Sequence, residues 1–360
     1  SAITSLAVSN AQDATQLGNL LSKASNAAVL ATGMDPAKLS VLGANAGSIA
    51  NDGITGTLAI TKDVTGLADL LGKTATGATV NVDAAGMSAQ LAVLSAAIDK
   101  VDAISNLSVS NAQDATELGN LLGKASGALV NASGMGTAKL NVLVSNIGRI
   151  ATDGITGTFT ILVGVSDVGA LLGKCSVDAN VTVDATSMTS GQLSAVNANL
   201  AKVDALINVA VDGGLTAAAL QNILQNSTSV VVTATGMDVT KLNVLAAYAN
   251  KIAANGILGT LALSKDVNNL SGLLAKAHAD ATVNVDASGM TVQQLHDVAG
   301  GIGAVDAVSN LSLTAATVAA DIDALLSKAS GAVANATGMD QAQLTKLGLR
   351  AGSIASNGIT

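Results

Sequence analysis

Internal repetition constrains this chain more than any other feature. The run Ser110-Asn111-Ala112-Gln113-Asp114-Ala115-Thr116 restates Ser9-Asn10-Ala11-Gln12-Asp13-Ala14-Thr15 at a distance of 101 residues. All seven methionines occupy one repeat position: Met34, Met87, Met135, Met188, Met237, Met290 and Met339. Their spacings are 53, 48, 53, 49, 53 and 49, so a unit of about 51 residues alternates with a slightly different sister. A repeat of that size cannot bury its apolar face alone. Each copy must be covered by the next, and the core grows by stacking.

Every unit divides again into two halves, for example Ile54 to Gly77 and Ala78 to Ala103, and both read as strand then helix. Val80 and Val82 alternate with Thr79, Asn81 and Asp83, and Leu58 and Ile60 alternate with Thr57, Ala59 and Thr61. That period of two marks half-buried strands. The period then lengthens: Leu39, Leu42, Ala46 and Ile49, or Leu140, Leu143, Ile147 and Ile150, lie on one helical stripe. A shorter stripe recurs in the other half, as in Leu118, Leu121, Leu122 and Ala125. The chain is therefore expected to be an α/β protein, a single array over residues 1–360 of about fourteen strand–helix units.

Helix boundaries carry their own signals. Asp35, Ser88, Thr189, Asp238, Thr291 and Asp340 stand where long helices should begin, and all are good N-caps. Thr189 with Gln192 and Thr291 with Gln294 form capping boxes, and Pro36 takes the first helical position, where its missing N–H costs nothing. The pairs Asp52-Gly53, Asp153-Gly154, Asn255-Gly256 and Asn357-Gly358 read as helix ends, with the glycine left-handed. Lys23, Lys73, Lys124, Lys174, Lys276 and Lys328 close the short helices, favourably for the helix dipole. The methionines stand at N′, just before the caps and five residues before Leu39, Leu140, Leu193, Leu242, Leu295 and Leu344 at N4, which makes them hydrophobic staples. Met87 is the exception, because Leu91 arrives one residue early.

Parallel strands joined by helices require right-handed crossovers, and a constant direction of advance puts all helices on one face. The strands agree, since one side is Val, Leu and Ile while the other is Thr, Ser, Asn, Asp and Ala. Fourteen strands in one open sheet would extend roughly 65 Å at about 4.8 Å each. Helices prefer 8–10 Å separations, so an alternation of short and long helices is expected to relieve the crowding. The layout is like that of a leucine-rich-repeat solenoid, with a different consensus: Ala112 stands where that repeat would place an Asn after Val109.

Chemistry is scarce. Apolar residues make up 49% of the chain, yet its aromatics are Phe159 and Tyr248 alone, and its net charge is −8. That balance argues against nucleic acid and against an anionic membrane surface. No apolar run approaches the ~20 residues of a membrane span. Cys175, the one cysteine, stands where sisters have Thr74 or Ala125 and reads as a buried small residue. His278 and His296 lack partners at metal-ligand spacing and replace other residues in sister repeats, so both read as incidental and exposed. Gly169 to Lys174 and Gly66 to Lys73-Thr74 imitate a phosphate loop, but with three and five residues between glycines where four are required. Asn106-Leu107-Ser108 and Asn180-Val181-Thr182 match the glycosylation motif at the rate chance predicts in a chain rich in these residues. Asp83, Asp184 and Asp286 recur at strand ends, expected as turn formers, with weak calcium binding as the other reading. No residue is assigned a catalytic, cofactor or metal role, and the chain is not expected to be an enzyme.

The run Ala281-Thr282-Val283-Asn284-Val285-Asp286-Ala287-Ser288-Gly289-Met290-Thr291 and its copies resemble repeat blocks of very long bacterial surface proteins, of the adhesin, sheath or S-layer type. That resemblance spans essentially the whole chain and implies an extracellular or cell-surface structural protein, with no active-site residues to carry over. The sequence opens directly into a repeat and stops two residues into another, and it is expected to be a segment of a longer chain. Neither terminal unit shows the charge, proline or bulge that would blunt a strand edge. The expected partner is another copy, packed head-to-tail or laterally. The alternative is an adhesin stalk that meets surface glycans through its Thr/Ser/Asn face.

Overall fold

The computed structural model describes residues 3–360. The chain forms two compact units, one running to Thr182 and including Asn199–Asp204, the other comprising Val183–Ala198 and Ala205–Thr360. In both, strands and helices alternate along the chain as an α/β repeat of solenoid-like layout, with parallel pairing. The first unit contains the sheets Ala7–Val8, Ala27–Leu30, Ile49–Thr55; Thr57–Ile60, Thr79–Asp83, Ala103–Ser105; and Ser108–Ser110, Ala128–Asn131, Ile150–Thr156. The second repeats this with Ala210–Val211, Val230–Thr233, Ile252–Leu258; Thr260–Leu263, Thr282–Asp286, Ala307–Ser309; and Ser312–Leu313, Ala332–Ala334, Ile354–Ile359.

Grouping in threes corrects the expectation of one continuous sheet. The stretch from Ile49 to Ile60 is a strand broken in the middle. Ile49–Thr55 pairs backward with Ala27–Leu30, and Thr57–Ile60 pairs forward with Thr79–Asp83. Between them Gly56 turns the chain at φ +85°, where an added Cβ would strike Thr32. The stacking direction is kept while the ladder is interrupted, which a burial pattern of period two cannot reveal.

Register explains the alternation read from sequence. Leu58 lies beside Val80, and Ile60 beside Val82 and Ile104, all buried. On the opposite side Thr57 lies beside Thr79, and Ala59 beside Asn81 and Ala103, all exposed. The second unit reproduces both sets: Leu261 beside Val283 inside, Thr260 beside Thr282 outside. One side of each sheet is thus apolar and covered, and the other is small, polar and open.

The caps at Asp35, Thr189, Asp238, Thr291 and Asp340 form as expected, each accepting from the N–H three residues on. Capping boxes appear at Thr189/Gln192 and Thr291/Gln294, and also at Asp13/Gln16, Asp114/Glu117 and Asp340/Gln343. Ser88 is not a cap. Its helix starts only at Leu91, after Gln90, because the missing residue removes the first turn.

A strict alternation of short and long helices does not hold either. Ala115–Lys124, expected short, has 10 residues, against 9 in Pro36–Ala44. Short helices occur only in every other double unit, as Leu67–Gly72, Val168–Gly173 and Leu270–Leu274. There the strand before the helix is longer (Thr57–Ile60 against Ser108–Ser110), and the loop through Gly66 uses residues that would otherwise make a first turn.

The Asp-Gly and Asn-Gly pairs lie inside strands, not at helix ends. Helix Pro36–Ala44 is followed by a 3₁₀ turn over Ala46–Ser48, and Asp52-Gly53 falls within Ile49–Thr55. There the register slips from Ala27 beside Ile49 to Val29 beside Ile54, a bulge of three extra residues. The left-handed residue is the Asp or Asn: φ is 51° at Asp52, 52° at Asp153, 54° at Asn255 and 64° at Asn357. Glycine is required next for space, since a Cβ on Gly53 would lie 2.7 Å from the Ala50 carbonyl oxygen and 3.0 Å from that of Ala27.

Lysines at the ends of short helices reach the preceding strand. Lys174 Nζ donates to the Ile150 carbonyl at 2.8 Å, Lys276 to Ile252 at 3.0 Å, and Lys73 to Asn51 Oδ1 at 2.8 Å. Both members of the Met34/Leu39, Met135/Leu140, Met188/Leu193 and Met237/Leu242 staples are buried. In the last staple Met339 is 9% and Leu344 42% exposed.

Candidate functional site

Many polar side chains in this fold tie one repeat to the next. Asp83 Oδ1 accepts from Asn106 Nδ2 at 2.9 Å and from the Ala85 N–H at 3.1 Å. Asp184 accepts from Thr186 Oγ1 (2.7 Å), Asn208 Nδ2 (3.0 Å) and the Thr186 N–H (3.0 Å); Asp286 accepts from Asn310 (2.9 Å) and the Ser288 N–H (3.0 Å). Asn106, Asn208 and Asn310 are themselves left-handed, at φ 51°, 54° and 52°, which brings each amide back over the preceding turn. These bonds favour the charged carboxylate, so all three acids sit below the ordinary range. The main cause is the Asn side chain for Asp83 and Asp286, and Thr186 for Asp184. The residues weighed for calcium thus form turns and clips. Among the described residues no three His, Cys, Asp or Glu side chains gather into a metal-sized group.

A second acidic series went unnoticed in the sequence. Asp102, Asp204 and Asp306 use Oδ2 to accept from the N–H of Val80, Val181 and Val283, each at 2.7 Å. Each carboxylate occupies a strand N–H in the preceding layer, and the 102-residue recurrence was the available signal. Ion pairs recur too: Lys100 Nζ lies 3.2 Å from Asp52, and Lys202 Nζ 2.7 Å from Asp153. In the third copy Asn255 and Ala304 stand at these positions, so both charges vanish together.

His278 Nδ1 accepts from the Asp280 N–H at 3.0 Å. His296 is exposed, as expected, and its Nδ1 lies 2.8 Å from Asp321 Oδ2, joining helix Val292–Gly300 to helix Ala319–Leu326. That bond and the carboxylate charge raise the His296 pKa above its ordinary value. Cys175 is buried, its thiol directed at the Leu171 carbonyl (3.4 Å) just as the Thr74 hydroxyl meets that of Leu70 (2.9 Å). Burial pushes this thiol up to about 12, which leaves it unreactive at neutral pH. The phosphate-loop imitations lie on or beside helices Val168–Gly173 and Leu67–Gly72, with Lys174 and Lys73 after those helices. No protein-family model matches the chain, and no curated protein matches it. Among the described residues no helix is long and apolar enough to cross a membrane.

Two surfaces remain as candidates for interaction. The outer sheet side carries uncharged rows: Thr57 with Thr79 and Ala59 with Asn81 and Ala103 in the first unit, Thr260 with Thr282 and Ala262 with Asn284 and Ala307 in the second. The other is the last repeat, where Leu344, Leu349 and Ile359 are 42%, 69% and 53% exposed. Sister residues Leu39, Leu140 and Leu242, and Ile54, Ile155 and Ile257, are buried.

The expectation that this last repeat lacks an edge-blunting bulge is corrected, and its helices carry an ion pair besides. Asp323 takes Lys346 Nζ at 3.1 Å and Arg350 Nε at 2.8 Å, which hold its carboxyl below the ordinary range, Arg350 foremost. Earlier copies have Gly18 beside Val41 and Gly119 beside Val142 at the positions of Asp323 and Lys346. Its strand Ile354–Ile359 also slips register against Ala332–Ala334, as its sisters do.

Proposed function

We propose that this chain is an extracellular structural protein that forms a fibre, sheath or S-layer-like assembly on a bacterial surface, with further copies of itself as partner. The observation that carries this reading is the self-similar outer sheet side. The row Ala59, Asn81, Ala103 recurs as Ala262, Asn284, Ala307, flat, small and without charge. A surface that repeats itself lets one modest contact be made many times, and linked contacts multiply in strength. The cross-repeat clips serve the same role, spending the polar side chains on cohesion between layers. In this reading the chain catalyses nothing and holds no cofactor.

Sedimentation velocity across a wide concentration range, with electron microscopy of the same samples, tests the reading. Concentration-dependent association into filaments or layers is expected. A monomer at every concentration would overturn it and favour an adhesin stalk that meets glycans.

A further inference from the structure

One repeat departs from the period by a single deleted residue. Met188 and Leu193, and Met290 and Leu295, are five apart, whereas Met87 and Leu91 are four apart. The deletion costs helix Leu91–Ala96 its cap and first turn; its sisters Ser190–Asn197 and Val292–Gly300 keep both. In the second unit the retained turn fills space: Ser190 stands over Gly214, so close that a Cβ on that glycine would lie 2.5 Å from the Ser190 hydroxyl. At the position equivalent to Gly214 the first unit has Ala112, and beside it a groove of about 440 Å³ is open.

We propose that this groove binds a neutral saccharide. Its walls contain no charged residue: Met87, Leu91 and Leu129 give apolar surface, and Ser88, Gln113 and Asn131 give polar atoms. The two amide oxygens are engaged, Gln113 Oε1 by the Ser110 N–H (2.9 Å) and Asn131 Oδ1 by the Ser133 N–H (3.1 Å). Gln113 Nε2, Asn131 Nδ2 and the Ser88 hydroxyl meet no protein partner among the described residues, so the groove offers donors to its occupant. Uncharged donors beside apolar walls reject cations and give an anion no compensating charge. They suit a ligand whose hydroxyls both give and accept while its C–H faces are apolar. The volume falls in the roughly 300–1,000 Å³ range of small-molecule sites and holds a disaccharide. With no aromatic ring to stack on, binding is expected at a Kd on the order of a millimolar. This site goes beyond the assembly reading and does not depend on it.

The test uses the full chain, isotope-labelled, with NMR of the Gln113 and Asn131 side-chain amides during titration with maltose, cellobiose, lactose and chitobiose. Leu129→Ala and Asn131→Leu place sister residues (Ala28 and Leu30) in the groove, so both variants should fold. A third variant inserts one Thr between Met87 and Ser88 to restore the missing turn. Saturable shifts with at least one disaccharide are expected, weakened at least tenfold in the two substitutions and abolished by the insertion. The proposal fails if no disaccharide gives saturable shifts, if the variants bind equally well, or if only an uncharged Ser/Thr-rich peptide binds.

Discussion

Thr317 and Val318 stand in each other's places. In the sister turn Leu215 is buried and Thr216 caps helix Ala217–Gln225, its hydroxyl accepting from the Ala219 N–H at 3.2 Å. In the last double unit Thr317 is 1% exposed with an unpartnered hydroxyl, and Val318 sits at the N-cap, 53% exposed and unable to cap. A buried, unsatisfied hydroxyl costs about 1–3 kcal/mol, and a missing cap about 1 kcal/mol. The double substitution Thr317→Val/Val318→Thr should therefore stabilise helix Ala319–Leu326, read as slower hydrogen exchange of its amides. Unchanged exchange would show that Thr317 has found a partner. Exchanges in pairs explain other variable positions. Asp323 with Lys346 replaces Gly18 with Val41, and Asn255 with Ala304 replaces Asp52 with Lys100. Each partner alone would leave an unpaired charge or an empty gap.

Between elements, the His296–Asp321 bond is the one that pH should control. His296 is charged when the contact is strongest, and its folded-state pKa lies above its ordinary value, from the hydrogen bond to Asp321 first and that carboxylate's charge second. A raised folded pKa means stabilisation that is complete below the unfolded value of about 6.5 and is lost as pH rises through the folded value. Helices Val292–Gly300 and Ala319–Leu326 should accordingly be better protected from exchange at pH about 5.5 than at about 8.5, after correction for intrinsic rates. His296→Gln should remove that difference. A native chain equally protected at both pH values would show that the pair adds no linkage. The clips at Asp83, Asp184 and Asp286 have the opposite sign, their contribution being present above the ordinary carboxylate pKa and lost toward acid.

For the molecule as a whole, stacking predicts that damage stays local. Leu242 is buried behind Met237 in helix Val239–Ala247, and Leu242→Ala should cost ~2–5 kcal/mol. Because a repeat touches chiefly its neighbours, exchange should speed up in Val230–Thr233 and Val239–Ala247. The Val333 and Asn335 amides, bonded to the Leu311 and Leu313 carbonyls at 2.9 Å in the same unit, should keep their protection. Uniform loss of protection would show that the unit opens as one cooperative body.

The sequence by itself determined the α/β repeat, the apolar side of each strand, five of the six long-helix caps and four of the six methionine staples. These features depend on residues within a few positions of one another, so periodicity and cap chemistry report them directly. Tertiary structure decided where the strand from Ile49 to Ile60 changes partners. It also put Asp52-Gly53 in a bulge, since that dipeptide satisfies a left-handed turn in either setting and only the approach of the Ala27 carbonyl distinguishes them. The Asp83–Asn106, Asp102–Val80 and His296–Asp321 bonds span 22–25 residues and exist only because stacking lays one repeat against the next. The groove beside Met87 follows the same rule. A shortened spacing was visible in the chain, but whether neighbouring side chains would close over the lost turn was settled by packing alone.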